Sequence, residues 1–120
     1  MTDLLHRWTD IATDTPIPGL LRRRVIGKQA MISHITLKPG CEVPYHAHQN
    51  EQFAVVLCGL IRFELGDKNA DTVESVDVRS GEVLHLPANL PHSAVAIEET
   101  IVLDVFSPPS ETTGIDRENA

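Results

Sequence analysis

An all-β fold, a small antiparallel sandwich or barrel, is what this sequence predicts. Three observations carry the prediction. Short runs alternate between apolar and polar residues, Gly, Pro, Asn and Asp cluster between the runs, and about eight such runs fit into one domain-sized chain. Taken in order, Leu4, Leu5, Trp8, Ile11 and Ala12 have helical spacing, so residues 1–19 are read as a short arm with one or two helical turns. Residues 22–26 and 31–37 read as strands, the second closed by Lys38-Pro39-Gly40. An apolar run opens at Phe53, and residues 61–65 (Ile-Arg-Phe-Glu-Leu) alternate strictly, as a half-buried strand does. Residues 66–71 form a turn, 72–78 a strand, 79–82 a turn and 83–86 a short strand that stops at Pro87. The prolines at 87 and 91 fix φ and withhold ladder donors, which makes 87–91 a tight loop. Two further strands, 93–97 and 100–106, meet at Glu98-Glu99. The barrel core is placed at about 20–107 within a single domain of 1–120, and the tail from 108 to 120 is read as polar and loose.

The composition narrows the function. The chain has 120 residues, 42% hydrophobic and 22% charged, with only 4% aromatic, so its core is mostly aliphatic. Ten Lys and Arg against 17 Asp and Glu leave a net charge of -7. That balance argues against nucleic acid as a partner and against a polybasic membrane anchor. No apolar run approaches a membrane span, and the start has no signal-peptide core. Cys41 and Cys58 form no CxxC pair and are expected as reduced, small buried packers in the cytoplasm.

The histidines point to chemistry. His46 and His48 are two apart, so on a strand both imidazoles face one point. Gln52 shares their parity if the strand continues, and His92 follows the rigid two-proline loop. His6, His34 and His85 are read singly as surface or satisfied core residues. Glu51 has the opposite parity to Gln52 and is expected to point away.

The wider spacing is Gly40-x5-His46-x-His48-x3-Gln52-x6-Gly59, then Gly81-x5-Pro87-x-Asn89-x2-His92-x3-Ala96. This resembles the two motifs of the cupin family, with Gln52, Asn89 and Ala96 where that family usually has Glu, Gly and Asn. The resemblance implies a small antiparallel cupin (jelly-roll-like) β-barrel. One divalent transition metal per chain (Ni, Zn, Fe or Mn, with Co also tolerated) would sit in its mouth on His46, His48, Gln52 and His92. Three neutral imidazoles and a neutral amide would leave the ion its full charge, which suits Lewis-acid work on an anionic substrate better than redox iron chemistry.

Asp104 lies mid-strand on the face of Val102 and Phe106. Either that face is outside and Asp104 is solvated, or it lines the barrel and Asp104 serves as acid or base with Phe106 as a pocket wall. The segment Asp104-Val105-Phe106-Ser107-Pro108-Pro109 resembles the KdgF-type cupins of pectin degradation. Those proteins convert 4,5-unsaturated monouronates to linear keto forms, and the resemblance gives Asp104 the proton transfer and Phe106 a substrate contact. It departs at Ser110, where that group carries Arg. Arg22, Arg23, Arg24 or Arg117 are the available replacements, although three adjacent arginines read first as a solvated edge strand. Tyr45 is a further candidate substrate contact, weighed equally against packing, while Phe53 and Met31 are assigned to the core.

The reading is therefore a metal-dependent enzyme that opens or tautomerises an unsaturated uronate or similar sugar acid. Its alternatives are an O2-using metal oxygenase and a non-catalytic sugar-acid binder. A small anionic substrate and a homodimer paired through the N-terminal arm are expected, the dimer from the resemblance.

Overall fold

Strict alternation on the central strands decides how the chain closes. The structure, a computed structural model, describes residues 3–113 and 115. Among the described residues nine strands run in order: β1 (Leu20–Ile26), β2 (Met31–Leu37), β3 (Glu42–His46), β4 (Glu51–Cys58), β5 (Leu60–Leu65), β6 (Glu74–Arg79), β7 (Val83–Leu86), β8 (His92–Ala96) and β9 (Thr100–Ser107). They form two antiparallel sheets, one ordered β1-β2-β9-β4-β7 and the other β3-β8-β5-β6. The all-β expectation is met, and the helical turns of the arm reduce to one 3-10 turn at Trp8–Asp10. The strand expected over 72–78 begins only at Glu74, and the one expected from 93 begins at His92.

The inner faces pack an aliphatic core. Leu20, Leu37, Val56, Leu86 and Val102 are fully buried, with Ile61, Phe63 and Val78 closing it from the second sheet. Each such side chain contributes roughly 1.5–3 kcal/mol by leaving water. β9 sits between β2 and β4, and its register places Phe106 beside Met31 and Gln52, and Asp104 beside Ser33 and Ala54. Asp104 is thus an inward residue, so the solvated alternative for it does not hold.

Four expectations are corrected. Phe53 is 38% exposed and stacks on His85 at 4.7 Å outside the sheet, because its run is apolar on both faces and alternation cannot orient it. Cys58 is exposed, whereas Cys41 is buried as expected and burial pushes its thiol up. Arg22 is not a solvated edge residue. It occupies an inward position of edge strand β1, is 4% exposed, and reaches Asp14 through two hydrogen bonds of 3.0 and 2.6 Å. Arg23 donates to the Ile11 carbonyl and Arg24 to that of Glu111, so the arginines fasten arm and tail to the barrel. The tail, finally, is not loose where it is described: Thr113 is buried and Ile115 packs on the core. Arg117 lies outside the described residues.

The Arg22 guanidinium beside it holds the Asp14 carboxyl below its ordinary value of 3.8. A group lowered on folding stabilises the fold above its unfolded pKa and loses that contribution as pH falls through the folded one. Asp14→Asn is therefore expected to cost about 1 kcal/mol at pH 6, the carboxylate being half exposed. In thermal unfolding the gap from wild type narrows below pH 3.8. A gap that widened in acid would contradict the pairing.

Candidate metal centre

His46 closes β3 and His92 opens β8, and the two face each other directly across the ladder. A register shift between Val43 and His46 makes this possible, because the extra residue turns both Val43 and His46 inward and Tyr45 outward. His48 is not on a continuing strand. It sits in the 47–50 connection, after which β4 starts in the other sheet. Gln52 nevertheless faces inward, from β4, beside Phe106 and Leu86. The common parity expected of His46, His48 and Gln52 is therefore not what aligns them: a bulge, a loop and a change of sheet do.

The three imidazoles converge. Ring centroids lie 4.4 Å apart for His46 and His92, 5.2 Å for His48 and His92, and 5.5 Å for His46 and His48. One ring nitrogen from each lies within 4.8 Å of the other two, a cluster one metal ion can bind. Each ring is oriented by a nearby backbone carbonyl. His46 Nδ1 donates to Pro44 O (2.7 Å), His48 Nδ1 to Asn50 O (3.0 Å) and His92 Nδ1 to Leu90 O (2.8 Å). A carbonyl only accepts, so in the neutral ring the proton is on Nδ1 and the Nε2 lone pair is free. Burial favours that neutral form, lowering His46 and taking His92 down to about 4.

The Gln52 amide lies against this cluster. Its Nε2 donates to Asp104 Oδ1 (2.8 Å), which turns its Oε1 toward His48 Nε2 at 3.1 Å. With the ring proton on Nδ1 the two facing atoms are both acceptors, an arrangement that a bound cation satisfies. The residues thus fit a divalent cation: three imidazole lone pairs and an amide oxygen, with no acidic ligand among them. Glu51 is turned away, its Oε2 taken by His85 Nε2 at 2.6 Å on the outer surface.

Asp104 lies behind Gln52 with its carboxyl inside the barrel. Burial pushes it up to about 7, against the downward pull of the Gln52 hydrogen bond. It shares a narrow cavity of about 50 Å³ with His46, Gln52, His92 and Phe106, above an apolar floor that includes Ile35, Phe63 and Ile115. Phe106 is buried and meets His48 edge-on at 5.7 Å. Tyr45 does not line this cavity. It stands on the outer rim next to His46, under the Lys68 ammonium.

Two holding residues escape a reading by side-chain type. Asn50 is buried, supplies the carbonyl that orients His48, and donates its amide to Pro108 O, joining the rim to the tail. Asn89 adopts φ +67, which Asn tolerates better than most residues, and its N–H donates to His48 O (2.8 Å). Its place in the sequence motif was the only available signal.

Residues 33–106 match the Cupin domain family. The structure resembles KdgF from Halomonas sp. with a TM-score of 0.80 and 23% identity, covering 92% of this chain and 97% of that one. An RmlC-like cupin from Shewanella frigidimarina gives 0.78 and 22%, covering 92% and 95%. An oxalate decarboxylase from Bacillus subtilis, described with Mn(II) centres, gives 0.78 and 26%, covering 89% of this chain but 30% of that one. This chain thus spans about a third of the oxalate decarboxylase it matches. No curated protein matches it by sequence. With the family's domain matched over residues 33–106, more than half of the chain, and the fold of KdgF shared along nearly all of it, the chain belongs to the cupin family.

Proposed function

We propose that the protein is a metal-dependent enzyme that opens and tautomerises a 4,5-unsaturated uronate or a closely similar sugar acid. The observation that carries this reading is the convergence of one ring nitrogen each from His46, His48 and His92, with Gln52 Oε1 3.1 Å from His48 Nε2 and the Asp104 carboxyl tied to the same Gln52. A divalent cation bound there supplies Lewis acidity toward a substrate carbonyl or hydroxyl oxygen. Any of Ni, Zn, Fe or Mn is compatible with the donors.

The remaining work falls to the chain. Opening the cyclic unsaturated uronate breaks the bond between C1 and the ring oxygen. The C1 hydroxyl loses its proton to leave an aldehyde, and the enolate left at C5 becomes a ketone when C4 gains a proton. The change is an isomerisation, with one proton removed and one delivered, and it needs no oxidant. Asp104 is the group assigned to carry that proton at its carboxyl oxygens, held in place by Gln52 Nε2. Phe106 is assigned to wall the substrate and exclude water beside His48. The neutral donor set favours this over oxygenase chemistry, for which a carboxylate ligand would help stabilise higher oxidation states. The same proposal includes pairing of two chains through the arm, where Leu4 and Leu5 are exposed.

The test is turnover of an unsaturated galacturonate by the metal-loaded protein, followed as loss of the conjugated enol absorbance. Asp104→Asn is expected to lower kcat by about 100-fold or more while metal stoichiometry is kept. Unchanged turnover in that variant would remove Asp104 from the chemistry. Absence of turnover in the wild type with every one of these metals would overturn the enzyme reading.

A further inference from the structure

The rim of the metal centre divides into two recesses of different electrical character, joined at Ala47. On the His48 side the recess carries Gln49, Asn50, Ser110 and Thr112, all polar and uncharged. On the His46 side it carries Tyr45, Asn69, Pro91 and the neighbours Asp67 and Lys68 from the turn after β5. Lys68 is the one cation among the described residues that line either recess. Its ammonium stands 5.9 Å from the centroid of the Tyr45 ring, and Tyr45 directly precedes His46 in β3. The Asp67 carboxylate is occupied within its own turn, where Oδ1 accepts the Asn69 N–H at 3.0 Å.

A ligand held at the three imidazoles therefore meets one side that carries an ammonium over Tyr45 beside a carboxylate engaged by its own turn, and another side that is uncharged and hydrogen-bonding. We propose that Lys68 is the anion-recognising residue of this centre: it takes the carboxylate of a monoanionic sugar acid on the His46 side, with Tyr45 as its platform. The hydroxyls of the ligand then turn to Ser110, Thr112 and Gln49. This inference deepens the proposed function and rests on its assignment of a small sugar acid to the site. It makes Lys68 and Tyr45 specificity-determining and positioning residues, with no part in the bond changes.

The experiment is calorimetric binding of galacturonate, and of galactose as its uncharged counterpart, to the metal-loaded protein. Wild type is expected to bind galacturonate more tightly than galactose, and the preference to shrink as salt rises, because an exposed ion pair is screened. Lys68→Met should weaken galacturonate about tenfold, the scale of one charge-assisted contact, with galactose and metal binding unchanged. Lys68→Arg should restore most of the loss. Tyr45→Phe should behave as wild type and Tyr45→Leu should weaken galacturonate in the same sense as Lys68→Met. Equal weakening of both sugars by Lys68→Met, no effect on galacturonate, or no wild-type preference for it would each overturn the proposal. Failure of the enzyme reading looks different: wild type would bind galacturonate through Lys68 yet turn over no unsaturated uronate.

Discussion

Gly59→Ala is expected to cost about 4 kcal/mol or more, enough to leave the protein largely unfolded if its total stability is ordinary. Gly59 is the corner at which the chain leaves β4 in one sheet and enters β5 in the other, just after a register shift between Val56 and Cys58. Its φ is +97, a conformation L side chains rarely adopt. An added Cβ would lie 2.3 Å from the Glu99 carbonyl oxygen and 2.7 Å from Thr100 Cα. Both are backbone atoms, one at the end of the β8–β9 connection and one in the first residue of β9, so neither can swing aside. The close approach also lets the buried Thr100 hydroxyl accept the Leu60 N–H at 3.1 Å. Gly40→Ala is the control, because φ there is +84 but an added Cβ meets nothing within 4 Å. That variant should cost about 1–2 kcal/mol from the backbone alone. Urea unfolding of both checks the contrast, and equal costs would mean that the Gly59 corner is not sterically closed.

The second large effect concerns His92. Its replacement by Ala is expected to lower metal affinity by more than 100-fold, since losing even an outer partner of a ligand typically costs 10–100-fold. The consequence reaches stability. Metal at 1,000 times its Kd stabilises a binding-competent fold by about 4 kcal/mol. Wild type should therefore melt at a markedly higher temperature with metal than after chelation, and His92→Ala should melt at the same temperature in both. His85→Ala and His34→Ala are expected to keep the full metal-dependent shift. His85 is engaged with Glu51 and Phe53 on the outside, and His34 lies against Trp8 at 5.3 Å. Loss of the shift in either of those variants would place the ion elsewhere.

The sequence made the sheets legible wherever one face is buried and the other is wet. The 61–65 alternation reappears as β5, with Ile61 and Phe63 buried and Arg62 paired to Asp77 outside. It failed where a run lacks that contrast: between Phe53 and Cys58 every residue is apolar, and only sheet order shows which side faces out. The charged run at 22–24 misled for the opposite reason. An inward position can hold a guanidinium when a carboxylate eight residues away comes back to it, and Asp14 does so. In the tail, the polar composition hid Thr113 and Ile115, which help to line the cavity.

The site was legible as a spacing of residues but not as a geometry. Counting by twos brought His46, His48 and Gln52 to one face through a continuous strand that does not exist. A bulge before His46 and a change of sheet before Gln52 bring those side chains together instead. The partners that fix the imidazoles are carbonyls of Pro44, Asn50 and Leu90, and backbone atoms leave no mark in a sequence. The inward aim of Asp104 is likewise a matter of register, set by pairing with Ser33 and Ala54.

The measurement that tests the metal centre most directly is elemental analysis of protein purified without added metal or chelator, for wild type, Gln52→Ala and His92→Ala. About one transition-metal ion per chain in wild type, lost from His92→Ala and reduced in Gln52→Ala, is the result predicted by three clustered imidazoles with the Gln52 oxygen beside His48. No metal in wild type, and none taken up on titration with Ni, Zn, Fe or Mn, would contradict it. The contact between the Gln52 oxygen and the His48 nitrogen would then be an ordinary hydrogen bond, and the enzyme reading would fall with the ion.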